Sequence, residues 1–247
     1  MGHNTNGAMI YRGPSMLDGS PIVAIVTGLR DVSENGKTGA MLQTFIIRSD
    51  VAPNVAIKSG ADAAVCGDCK HRPALGGACY VNPRTAASVY RCLTVGSGYA
   101  HVADADAIAA LGDGRAVRLG TYGDPAAVSV AVWQALVSRA ALHTGYTHQW
   151  AHAHALRGLV MASADTPEEM AQARANGWRT FRVRLAHEAL GPRESVCPAS
   201  AEAGKKLNCA TCGACNGADT GRKGSIAIVV HGALAMRFAG VRERLAA

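Results

Sequence analysis

The stretch AVRLGTYGDPAAVSVAVWQALVSRA, Ala116 to Ala140, changes its hydrophobic period half-way along. A short strand-like run gives way to a helix-like one, and at the join Asp124-Pro125 offers an N-cap carboxylate and a proline suited to the first helical position. That is the signature of a βα unit, and the rest of the chain repeats it. LHTGYTHQW (142–150) precedes a short His/Ala-rich piece, GLVMASAD (158–165) precedes PEEMAQARANG, and RTFRVRL (179–185) precedes a short AHEAL. SVCPAS (195–200) follows, then SIAIVVHG (225–232) and ALAMRFAGVRERLAA. Thr166-Pro167-Glu168-Glu169 reads as a capping box and Asn176-Gly177 as a helix stop. Upstream, PIVAIVTGL (21–29) and LQTFIIRS (42–49) flank the turn-rich ENGKTG and predict an N-terminal β-hairpin.

About eight strand candidates, alternating with helices and with no GxGxxG after the first, predict an α/β fold of (β/α)8 TIM-barrel-like type, irregular or incomplete, rather than an open Rossmann sheet. Residues 1–20 read as a flexible polar N-terminus and 21–247 as a single barrel-like domain with cysteine-rich loops. At 247 residues the chain can bury a sizeable core without covalent staples. The N-terminus lacks a basic region followed by an apolar one, and no apolar run nears membrane-spanning length, so a cytoplasmic protein without a membrane partner is expected. The formal net charge of +7 suits an anionic partner, whether small molecule, nucleotide or nucleic acid. Lys205-Lys206, Arg222-Lys223 and the Arg237, Arg242, Arg244 set carry the local basic density.

In a barrel, the loops after the strand C-termini build the site. The strand ends here carry Tyr122, Asp124, Thr147, His148, Ser163, Asp165, Arg182, Arg184, Cys197 and His231. Asp124, His148, Asp165 and Arg184 are the candidate catalytic set, expected in one pocket. In RTFRVRL the alternation sets Phe181, Val183 and Leu185 opposite Arg182 and Arg184, and guanidiniums aimed into the mouth would hold a carboxylate or phosphate. Among the crowded His143, His148, His152 and His154, His148 is the one assigned to the site.

Eight cysteines in a reducing compartment point to metal ligands or nucleophiles before disulfides. CPASAEAGKKLNCATCGACNG (197–217) sets Cys209, Cys212 and Cys215 at C-x2-C-x2-C spacing, with a remote Cys197 followed by proline. This pattern is close to ferredoxin-type [4Fe–4S] ligation, with a four-cysteine zinc site as the alternative. CGDCKHRPALGGACYVNP (66–83) supplies Cys66, Cys69 and Cys79 for a second cluster. Its fourth position falls to His71, to an exogenous ligand, or to Cys92, which sits in the helix-like ASVYRCLTVG as a core thiol would.

The segments VCGDCKHR, GACYVNP, RLGTYGDPAAV, TGYTHQW, MASADTPEE, GWRTFRV, and CPAS followed by CATCGAC resemble a family of uncharacterised bacteriophage and prophage proteins. Their cysteine arrangement and barrel-like pattern are similar to those of radical-SAM enzymes. The resemblance implies a virus-encoded iron–sulfur protein at work in the host bacterial cytoplasm. Radical-SAM proteins usually carry C-x3-C-x2-C, so the spacing of Cys66, Cys69 and Cys79 speaks against SAM as a cofactor. Two functions follow as expectations. One is a redox or radical enzyme acting on an anionic substrate; the other is a non-enzymatic protein, stabilised by a cluster or zinc, that binds nucleic acid or a host protein.

Overall fold

The computed structural model describes residues 3–218, 224–232 and 234–246. In chain order it contains β1 (Gly7–Pro14), β2 (Pro21–Thr27), β3 (Leu42–Arg48), α1 (Pro53–Ser59), α2 (Ala63–Cys66), α3 (Pro83–Thr94), β4 (Ala100–His101), α4 (Ala105–Gly112) and β5 (Ala116–Tyr122). Then come α5 (Val130–Val137), β6 (Leu142–Thr147), β7 (Met161–Ala164), α6 (Pro167–Ala175), β8 (Thr180–Arg184), β9 (Glu194–Val196), α7 (Cys209–Cys212), β10 (Ser225–Val229) and α8 (Met236–Ala246). The strands form one mixed sheet in the order β4-β1-β2-β3-β5-β6-β7-β8-β10-β9.

The expected hairpin is present: β2 and β3 pair antiparallel from Ile22↔Arg48 to Thr27↔Gln43. From β3 onward every pairing is parallel. Strands β2 and β3, buried on both faces, and Trp133 of α5 contribute to the main core, where Ile22, Val23, Ile25, Leu42, Ile46 and Trp133 are buried. β1 lies within the stretch read as flexible, and it buries Ala8, Met9 and Ile10 against β2. Asp124 Oδ1 accepts from Ala126 N–H at 2.9 Å, capping a short 3-10 turn (Pro125–Ala127) that precedes α5. Thr166 caps α6 by accepting from Glu169 N–H. The Glu169 carboxylate turns to Asp165 N–H instead of closing a reciprocal box.

Two features depart from a sequentially ordered barrel. The first is at the far edge, where β10 pairs with β8 and β9 lies outside it; among the described residues no pairing joins β9 to β4. The second is in β6, which pairs with β5 through Leu142–Gly145 and with β7 through Tyr146–Thr147. At that switch Gly145 N–H donates to Cys215 O at 3.1 Å, so the cysteine loop is tied into the sheet by a main-chain bond. Glycine is needed there, because a Cβ would meet Val160 Cγ1 at 2.6 Å and Leu119 Cβ at 3.0 Å. Gly145→Ala is expected to cost about 1–3 kcal/mol by overpacking, read as a lower urea midpoint. An unchanged midpoint would mean that the strands shift freely at this point.

Candidate functional site

The first cysteine loop sits against the ends of β5 and β6. Asp124 N–H donates to Val65 O at 2.6 Å, and Gln149 Nε2 donates to Cys66 O at 3.2 Å. Arg72 braces the loop from within: its guanidinium reaches Gly60 O at 2.6 Å, Gly67 O at 3.0 Å and the buried Asp62 carboxylate at 2.9 Å. The chain then doubles back so that Cys79 N–H meets His71 O at 3.0 Å. Gly77 permits this turn, since a Cβ there would lie 2.2 Å from the His71 carbonyl carbon.

Cys66, Cys69 and Cys79 are thereby drawn together. Burial pushes the Cys66 thiol well up, and Cys69, Asp62, Cys79 and Asp124 push the same way. Burial also carries Cys69 to about 12 and Cys79 to about 11. The thiols are therefore protonated at neutral pH unless a metal displaces the proton. Cys92 is elsewhere: on α3 it accepts from Asn4 Nδ2 at 3.2 Å, in a cleft shared with Tyr99 and Phe45.

The second set is assembled by a loop that crosses the sheet. Cys197 follows β9, its N–H bonded to Ala227 O. Cys209 N–H and Ala210 N–H donate to Lys37 O and Thr38 O in the β2–β3 connection. Asn208 and Thr211 form a capping box around α7, and Gly213, with φ of 58°, ends it. Cys215 is carried to β6, where burial pushes its thiol up to about 12, Tyr146 opposes, and Cys197, Cys209 and Cys212 add. Buried Arg179 holds the return path through Asn216 Oδ1 at 3.3 Å and Gly224 O at 2.8 Å.

Phe181 and Val183 pack against the small core that contains Cys197 and Cys215. This corrects the expected orientation of β8. Arg182 is buried and donates twice to Glu194, from Nε at 2.9 Å and from Nη2 at 2.7 Å, as well as to Ala189 O. Arg184 is committed to Glu202 and to Glu188 O. Glutamates in the segments after β8 claim both guanidiniums, so neither lines a mouth. Lys37 and Arg118 are the cations beside the second set. Lys37 Nζ lies 2.8 Å from His231 Nε2, and Arg118 stands over the Tyr146 ring at 5.3 Å. Burial lowers the Lys37 pKa against the pull of Cys197, Cys209 and Cys215.

Three of the four candidate catalytic residues do come together. Asp124 Oδ2 accepts His148 N–H at 2.8 Å, and burial raises the Asp124 pKa against that bond and the Ala126 N–H. His148 Nε2 lies 3.9 Å from Asp165 Oδ2. His71 Nε2 is 2.8 Å from the same oxygen, while Lys70 Nζ is 3.7 Å from it and also pairs with Glu169. Burial works to raise the Asp165 pKa, but His71, His148 and Lys70 together hold it below the usual carboxylate range. His71 stacks on Phe238 of α8, with centroids 5.5 Å apart. The sequence offered His71 only as a fourth cluster ligand; its place two residues after the C-x2-C was the available signal. Of the other histidines, His143 Nε2 contacts Leu159 O and Asn216 O, and His152 and His154 are exposed. Arg222-Lys223 lies outside the described residues.

The fold and site thus define a mixed α/β protein with a mostly parallel sheet. Seven cysteines in two sets and one buried His-His-Asp group lie around the ends of its strands. No protein-family model, no curated protein and no solved structure matches the chain.

Proposed function

We propose that the chain is an iron–sulfur enzyme of redox or radical type, with Cys197, Cys209, Cys212 and Cys215 holding one [4Fe–4S] cluster and Cys66, Cys69 and Cys79 a second with an open corner. The observation that carries this reading is that seven thiols form two separate sets, each from one stretch of chain, with Asp124, His148 and Asp165 against the three-membered one. The C-x2-C-x2-C spacing with a remote Cys-Pro favours iron–sulfur ligation, with a four-cysteine zinc site as the alternative.

An open iron corner is what would bind a substrate or cosubstrate, with the neighbouring carboxylates and imidazoles orienting it and moving protons. Lys37 and Arg118, beside the second set, would balance the charge of its thiolates, while the formal net charge of +7 suits an anionic substrate. The reading includes a viral origin with action in a bacterial cytoplasm, as the resemblance suggests, and a sheet curled as an incomplete (β/α) barrel. The curl is supported by contacts across the strand ends: Phe238 on His71, and His231 on Tyr80 and Lys37.

Anaerobic purification with iron, sulfide and zinc counts tests the reading. Two clusters' worth of iron and sulfide is expected, falling by about half in a Cys66→Ser, Cys69→Ser, Cys79→Ser variant. A colourless, zinc-loaded wild type would overturn the proposal, and a triple variant that keeps all its iron would remove the first centre.

A further inference from the structure

His71, His148 and Asp165 are drawn from three separate parts of the fold. His71 comes from the loop after α2, His148 from the end of β6, and Asp165 from the end of β7. Their ligand-capable atoms nevertheless all lie within 4.8 Å of one another. The Asp165 side chain is 1% exposed and that of His71 10%. Among the described residues no hydrogen bond satisfies either Asp165 oxygen or either ring nitrogen of His71, although His71 Nε2 and Asp165 Oδ2 approach to 2.8 Å. The His71–Asp165 contact is favourable in charge but lacks the N–H to O alignment of a good hydrogen bond, and His71 Nδ1 and Asp165 Oδ1 have no partner among the described residues. Buried polar atoms left so are costly unless a further group occupies the point that these ligand atoms surround.

The spacing fits a metal ion. Bonds of about 2.0–2.2 Å to nitrogen and oxygen place adjacent ligand atoms roughly 3–3.4 Å apart, and the separations of 2.8 and 3.9 Å from Asp165 Oδ2 bracket that range. Charge points the same way. Asp124, Asp165 and Glu169 put three carboxylates around the site against the single ammonium of Lys70. Lys70 stays 3.7 Å from Asp165 Oδ2 and spends its closer contact on Glu169, so it balances the outer carboxylate without filling the point of convergence.

We propose that His71, His148 and Asp165 bind a mononuclear divalent transition-metal ion, separate from both thiol sets. Two imidazoles and one carboxylate form the donor set of non-haem Fe(II) sites, and three protein ligands leave coordination positions for water or substrate. The half-buried His148 supplies the solvent-facing side of the site. The open positions would adjoin Cys69, whose backbone leads directly into Lys70 and His71.

Mn(II) is the appropriate probe, because it favours nitrogen and oxygen donors over the thiolates of the two cysteine sets. Anaerobically purified full-length protein is washed with a chelator that strips mononuclear ions, then titrated with Mn(II) while the free ion is counted by its electron paramagnetic resonance signal. Wild type should retain one Mn(II) per chain. H148A should bind it at least roughly tenfold more weakly, since loss of a ligand exceeds the effect of losing a partner that only orients one. D165N should behave likewise. After the chelator wash, the iron and sulfide content of H148A should equal that of wild type, which shows that the fold and thiol centres are intact. Retention of no Mn(II) by wild type, or equal affinity in H148A, overturns the site. Mn(II) binding that persists in a protein without sulfide overturns the cluster reading and leaves this site standing.

Discussion

Serine in place of Cys212 is expected to remove about half of the iron and sulfide of the anaerobically purified protein and to lower its melting temperature. The residue closes α7, and the loop that carries it is short of apolar anchors. It is held by main-chain bonds to Lys37 O and Thr38 O, by Cys215 O on Gly145 N–H, and by Arg179. Ligation through four thiolates would add what burial does not provide, so loss of metal and loss of stability should appear together. Cys92→Ser is the control. That thiol lies in the Asn4–Tyr99 cleft, and its replacement should leave iron and sulfide unchanged. A Cys212→Ser protein with the wild-type iron content would show that Cys212 is not a ligand.

Glu194→Ala is expected to destabilise the protein by about 3–5 kcal/mol, because it strands a buried guanidinium. Both partners of the Arg182–Glu194 pair are almost fully enclosed, with side chains 2% and 0% exposed. Glu194 also accepts Gly191 N–H, at 2.6 Å. Replacing the two together, as Arg182→Met with Glu194→Leu, should recover much of the loss, since an apolar pair carries no desolvation cost. The pH dependence follows from the same pair. Burial disfavours the Glu194 carboxylate, but Arg182 more than offsets this and leaves its pKa lowered. A depressed acid contributes stability above its unfolded value, about 4.3, and loses it as pH falls through the folded value. Urea midpoints should therefore drop more steeply on the acid side of pH 4 in wild type than in the double variant. Equal slopes would assign acid denaturation to other carboxylates.

The eight strands expected from period-two runs all exist, because each run supplies enough β-branched or apolar side chains to be half-buried wherever it lands. β1 was not legible: GAMIYRGP sits in a polar, glycine-rich context, and only the presence of β2 alongside makes its apolar half worth burying. Nor was the exchange of β9 and β10, since a three-residue strand carries no information about which edge it will join. Cysteine spacing named both thiol sets, and the ends of β5, β6 and β7 named Asp124, His148 and Asp165. The misreading of Arg182 and Arg184 has a simple cause. Alternation tells that two arginines share a face, but not that Glu188, Glu194 and Glu202 from the following segments will be waiting on it.

The inserted position of β10 also sets an order of assembly. During synthesis β9 emerges before β10, its partner among the described residues, and β8 meanwhile keeps an unpaired edge. Cys197 and the Cys209–Cys215 segment are both made in that interval. When the last of these thiols leaves the ribosome, the cradle they form is still open on the side that β10 will fill. Any metal taken up by these thiols would meet a loose flap of nascent chain, and arrival of β10 would then fix Cys197 through the bond from its N–H to Ala227 O.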